Sequence, residues 1–124
     1  MRHIIIYIMS AFMLLSVASC GQQHKAESTV KDFMADNMTG DGNPTGMEFS
    51  RLDSTKYITD SLIQKMHRDA ELSGRYKSGI RYASGKGLKK LMISRVEYML
   101  GKEKHSDTYY LDEELTHVVS VKAN

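Results

Sequence analysis

The chain opens with an apolar run, Ile4 to Ala18 (IIIYIMSAFMLLSVA), after a positively charged start at Arg2, and then turns polar through Gly21 to Glu27 (GQQHKAE). At 15 residues the run is shorter than the ~20 needed to cross a bilayer as a helix. A charged start, a short apolar core and small residues at its end have the form of a secretory signal peptide. The polar segment predicts a tether reaching about 25 Å if extended at ~3.5 Å per residue.

Beyond the tether the spacing becomes helical. Val30, Phe33 and Met34 predict a first helix over Thr29–Met38, with Thr29 and Asp32 able to form a capping start. Thr39 to Gly46 (TGDGNPTG) is a turn-rich loop with the only proline, and Met47 and Phe49 alternate with polar residues as a short strand. Ser61 and Gln64 fit a capping box opening a second helix. Leu62, Ile63, Met66 and Ala70 share its face, and Gly74 stands where it should end. The later period is two. Leu91–Leu100 predicts a strand, Gly101–Ser106 a hairpin loop and Asp107–Leu111 a second strand. After a turn at Asp112–Glu114, the alternation of Leu115, His117, Val119 and Val121 predicts a third. The expected fold is α+β: two helices packed on an antiparallel sheet that ends in a C-terminal meander.

Val17-Ala18-Ser19-Cys20-Gly21 resembles the lipobox of bacterial lipoproteins, in which a branched residue and two small ones precede an obligatory cysteine. That resemblance implies cleavage before Cys20, a thioether link from its thiol to diacylglycerol, and acylation of the new amino terminus. It divides the chain into a signal peptide (1–19), a lipidated Cys20 with its tether (20–27) and one small α+β domain (28–124). Each buried acyl CH₂ contributes ~0.8 kcal/mol, so two or more chains anchor stably. Cys20 is the only cysteine. Once acylated, it leaves no thiol for a nucleophile, a disulfide or a zinc site, and the core must hold without staples.

Charge is distributed unevenly. Of the 17 Lys and Arg only Arg2 leaves with the leader, against 15 Asp and Glu, so the mature domain is near neutral. Yet no acidic residue lies between Glu71 and Glu97, where Arg75, Lys77, Arg81, Lys86, Lys89, Lys90 and Arg95 fall. Inside this stretch Arg-Tyr-x-Ser-Gly occurs twice, at Arg75–Gly79 and Arg81–Gly85. Guanidinium forks grip phosphate or carboxylate bidentately, and tyrosine rings offer flat contacts. Arg75, Tyr76, Arg81, Tyr82, Lys86, Lys89 and Lys90 are therefore the candidate binding residues. The competing reading is a soluble glycine-rich connection, or an amphipathic edge strand with Arg75, Lys77 and Arg81 outward and Tyr76 and Tyr82 inward.

Signatures of catalysis and metal binding fail on spacing. Gly79 to Lys86 has one residue too many for a P-loop, and Gly87 stands where its hydroxyl belongs. Asp41 to Gly46 opens like a calcium loop, but its twelfth position is Leu52. Ser28-Thr-Val-Lys31 lacks the companion motifs of penicillin-binding enzymes. Glu114 and His117, three apart across a turn and strand, point to opposite faces. His67, beside the apolar stripe of the second helix, reads as a satisfied boundary histidine. No motif assigns a catalytic residue, a metal ligand or a cofactor.

The segments VKDFM (30–34), FSRLDSTKYITDSLI (49–63) and TYYLDEELTHVVSVK (108–122) are similar to small Bacteroidota lipoproteins of unknown function. Helix-on-sheet domains of this size are also similar to cystatin-like and NTF2-like folds, which host many functions. The resemblance implies an envelope protein on the periplasmic face of the outer membrane, since Gly21 follows the cysteine and no acidic run does. The expected role is a non-enzymatic accessory or binding module. Its partners would be the membrane, through the lipid, and an envelope protein or anionic glycolipid, with no nucleic acid. The alternative is a small-ligand or catalytic domain whose pocket lies between the sheet and the second helix, using His67, His117 or a tyrosine.

Overall fold

The first helix, α1, has the bounds Arg2–Asn37 in the computed structural model, whose described residues are 20–39, 43–56 and 58–124. The signal-peptide reading of residues 1–19 and the head of the calcium-like run at Asp41 fall outside them. From Cys20 onward α1 is helical throughout, which corrects the expected tether: GQQHKAE forms helical turns, rising ~1.5 Å per residue instead of ~3.5 Å. Ala26, Val30 and Met34, four apart, form a stripe that is wholly or almost wholly buried. Burying Val30 and Met34 contributes about 1.5–3 kcal/mol each, which holds a segment that would be marginal as an isolated helix. Thr29 is thus no cap; mid-helix, its Oγ1 donates to the Leu115 carbonyl at 2.7 Å. Asn37 closes the helix by donating from Nδ2 to the Phe33 carbonyl at 3.0 Å.

The second helix, α2, spans Asp60–Leu72 and buries Ile63, Met66 and Ala70. Its cap is Thr59, whose side chain accepts from the Leu62 amide at 3.2 Å, in place of the expected Ser61. Asp60 in the first turn complements the helix dipole. Gly74 does end the helix: at φ +77° it takes the left-handed turn open to glycine just after the Ser73 cap.

Five strands make one antiparallel sheet: β1 Thr45–Phe49, β2 Asp53–Thr55, β3 Leu91–Leu100, β4 Glu103–Leu111 and β5 Val118–Ala123. The order is β1-β3-β4-β5, with β2 beside β1 along the same edge of β3. The fold is α+β with an open sheet, as the pattern predicts. The expected loop at Gly101–Ser106 shrinks to Gly101-Lys102, because Leu100 pairs with Glu103. Gly101 at φ +61° supplies the positive dihedral that a two-residue hairpin with glycine first requires. The last strand starts three residues late. Asp112 Oδ1 accepts from the amides of Thr116 (2.8 Å) and His117 (3.2 Å), extending the turn through His117, which is exposed.

In β3 and β4, Val96, Tyr98, Tyr109 and Leu111 face α1 in the larger of two apolar clusters. The smaller joins Ile63 and Met66 of α2 to Leu91 and Val119, with Ala83, Leu88 and Tyr110 packed against it. Leu91 and Tyr110 belong to the opposite pleat from Met92 and Leu111. Helix α2 therefore wraps the β5 edge, with Ala70 in the larger cluster and Met66 in the smaller. Tyr110 pairs with Ser120 and Leu111 with Val118, so Val119 is the extra residue of a bulge.

Candidate functional site

The basic duplication is an irregular crossing from α2 to β3, and its two copies part company. Tyr76 forms an isolated bridge with Met38 just beyond α1, fixing the first copy against the end of that helix. Arg75 and Tyr76 then turn inward to a residue the sequence reading left unassigned. Asp107, on β4 and wholly buried, accepts at Oδ1 from Arg75 Nη2 (2.6 Å) and the Asn124 amide (3.2 Å). At Oδ2 it accepts from the hydroxyls of Tyr76 (2.5 Å) and Tyr98 (2.6 Å). Tyr76, whose hydroxyl donates to Asp107, accepts a hydrogen bond from Tyr109 at 2.6 Å. Tyr98 receives from Arg75 Nε at 3.2 Å.

Each group thus answers another. Burial raises the Tyr98 pKa to about 12, reinforced by its hydrogen bond to Asp107 and that residue's charge. Burial also lifts Tyr76 far above its ordinary value, helped by Tyr109 and Asp107, and lifts Tyr109 likewise. For Arg75 burial pulls the other way, but the hydrogen bond to Tyr98 and the charge of Asp107 outweigh it and the guanidinium is held more firmly protonated. A carboxylate that accepts four hydrogen bonds inside the protein is a clasp between the crossing, β3, β4 and Asn124. Arg75 and Tyr76 are accordingly not part of an outward patch.

The second copy takes another course. Tyr82 stacks on His67 of α2, with ring centroids 3.8 Å apart and planes 6° from parallel. The His67 Nε2 lies 2.9 Å from the Val119 carbonyl, which makes it the satisfied boundary histidine expected of it. Tyr82 Oη is buried with no hydrogen-bond partner among the described residues, and burial, then the charge of Glu71, raises it to about 12. The amide of Ala83 donates to the Val118 carbonyl at 2.9 Å, laying the segment along the free edge of β5.

Arg81, just ahead of these two anchors in the chain, is exposed and lines an open groove of about 280 Å³. Asp32, Phe33 and Asp36 of α1 line it together with Arg81, Thr116 and His117. Asp112 steadies Thr116 and His117: its Oδ2 accepts from Thr116 Oγ1 at 2.7 Å and lies 3.3 Å from His117 Nδ1. Burial pushes the Asp112 pKa up, but the hydrogen bonds from Thr116 and His117 prevail and lower it. The lining of the groove thus includes two acidic residues, an arginine and an aromatic residue. Asp32 and Asp36, four apart on α1, carried no visible signal because the rest of the lining includes residues 81 and 116–118.

Lys86, Lys89 and Lys90 do not line the groove. Lys86 and Lys89 are exposed on the turn that follows, Lys90 is half-buried, and Gly85 is fitted closely against Ile63 and Val119. The space between the sheet and α2, where a ligand pocket was the alternative expectation, is occupied by Ile63, Met66, Leu88 and Val119 and by the Tyr82–His67 stack. Among the described residues no group of three or more His, Cys, Asp or Glu is placed to hold a metal ion. Cys20 is exposed, and no helix among the described residues is long and apolar enough to cross a membrane.

Compared with protein-family models, curated proteins and solved structures, the chain matches none.

Proposed function

We propose that this chain is a lipid-anchored accessory domain of the bacterial envelope, on the periplasmic face of the outer membrane, that binds a segment of a partner protein in the groove beside α1. The lipobox-like VASC at residues 17–20 supports the anchor. The observation that carries the binding reading is an open groove whose lining brings the exposed Arg81 together with Asp32, Asp36 and Phe33. Polar groups of both signs together with a ring suit a peptide with its own mixed charges, and suit a uniformly anionic glycolipid less well. Rim charges of this kind set the encounter rate and its salt dependence more than the final affinity.

The test is photo-crosslinking in cells with a photoreactive residue in place of Thr116, which lines the groove with Arg81, in the full lipidated protein. A discrete protein adduct is expected, lost when Arg81→Glu is added while the fold is unchanged. A smear of glycolipid would replace the protein partner with an anionic surface. No adduct from folded, membrane-bound protein would remove the groove as a binding site, and fractionation with the inner membrane would overturn the location.

A further inference from the structure

We infer that the domain is seated directly on its bilayer, with the β1–β2 edge of the sheet turned to the phospholipid surface and the groove turned away. The inference rests on lipidation at Cys20 and deepens that reading by giving the anchored domain an orientation.

Four observations carry it. Helix α1 is unbroken from Cys20 to Asn37, so the anchored residue belongs to the same rigid element as the core stripe. Three residues past Cys20, about 4.5 Å along the axis, Gln23 grips the link between β1 and β2 with both ends of its amide. Its Nε2 donates to the Ser50 carbonyl at 2.9 Å, and its Oε1 accepts from the Leu52 amide at 2.8 Å. One turn further on, Ala26 is wholly buried. Lys31, still on α1, lies with Nζ 5.6 Å from the centre of the Phe49 ring of β1. A lipoprotein on a leash has freely rotating residues between its lipid and its first tertiary contact; here helix and clasp leave less than one turn.

Direction follows from the same contacts. From Cys20 onward helix α1 passes the β1–β2 link at Gln23 and reaches Leu115 at Thr29, and Met38, just beyond its end, bridges to Tyr76. Asp32, on the groove wall, is 12 residues beyond Cys20, about 18 Å along the axis. Across the sheet, β5 is three strand spacings from β1 and β2, about 14 Å at ~4.8 Å each. Both paths begin at the anchored corner and both end at the groove and the 81–90 segment. Charge is secondary in the contact: on or near this edge the exposed Lys25, Lys31, Arg51 and Lys56 outnumber the exposed Glu48 and Asp53 only modestly. The geometry of the acyl anchor sets it.

Lipidation consumes the only thiol, so a cysteine introduced elsewhere labels uniquely. Spin labels at Arg51→Cys and Lys86→Cys, both exposed positions, would be compared on the full lipidated protein in vesicles of phosphatidylethanolamine and phosphatidylglycerol doped with a nickel-chelating lipid. Several-fold greater relaxation of the label at 51 than at 86 is expected. A flexible Gly-Ser insert after Gly21 should erase the difference. Equal relaxation at the two sites without the insert, or greater relaxation at 86, in protein that floats with the vesicles would overturn the seating while leaving the anchor intact. Protein that fails to float, with Cys20 still titratable as a thiol, would overturn the lipidation reading and the seating with it.

Discussion

Arg75-Tyr76 and Arg81-Tyr82 are the same dipeptide in the same local motif, and the fold uses them in opposite ways. The first arginine is committed to a buried carboxylate, with 15% of its side chain exposed, while the second stands in solvent beside a groove. The first tyrosine has its hydroxyl in a relay of three hydrogen bonding groups; the second has a buried hydroxyl with no partner among the described residues and is held by its ring. Local sequence does not separate them. What separates them is Asp107, presented by β4 under the first copy with no counterpart under the second.

The largest break in this contrast comes from removing that carboxylate. Asp107→Ala takes the countercharge from Arg75, leaving it only Tyr98 and the Asn124 carbonyl, and leaves two hydroxyls without an acceptor, a loss of about 3–5 kcal/mol that urea unfolding would read as a collapse of the midpoint. Raising the pH attacks the same cluster from the other side. A tyrosine held above its ordinary value of about 10 binds its proton more tightly in the folded state than in the unfolded one. The contribution of these tyrosines to stability is therefore constant below pH ~10 and falls above it, by about 1.4 kcal/mol per pH unit for each tyrosine still protonated only when folded. Alkaline unfolding followed by circular dichroism should show this slope, shallower by one tyrosine in Tyr76→Phe.

At neutral pH, Tyr76→Phe costs about 1–3 kcal/mol, because Asp107 loses a donor and Tyr109 loses its acceptor. The matching change in the second copy, Tyr82→Phe, should leave stability within ~0.5 kcal/mol of the parent or raise it slightly, since the hydroxyl removed is buried without a partner among the described residues. Equal losses in the two variants would erase the distinction between the copies.

The elements that pack by simple periodicity were legible: α2 from Ile63, Met66 and Ala70, and β3 from its alternation. The tether was misread because most residues of a surface helix face water, so GQQHKAE looks unstructured until Ala26 is joined to Val30 and Met34. Strand β2 is three residues long and pairs only through β3, too short to show a period. The late start of β5 depends on the Asp112 turn and on a bulge at Val119, and both its faces are covered, so alternation was a poor guide. Asp107 did leave a trace, a charged residue in step with the inward Tyr109 and Leu111. Its partner was not readable, because Arg75 is 32 residues away and only the crossing brings it there. The groove was hidden for the same reason.

Both borders of the sheet deny a neighbour any length of backbone to pair with. Along β3 the outer border is broken into pieces of five and three residues, with Ser50 taking up both backbone groups of Arg95 at the gap. Along β5, Ala83 and His67 engage the carbonyls of Val118 and Val119. Molecules confined to a surface meet one another far more often than the same number in free solution. Interrupted and covered borders of this kind are how sheet proteins limit edge-to-edge joining into aggregates, a protection the proposed anchoring would call on.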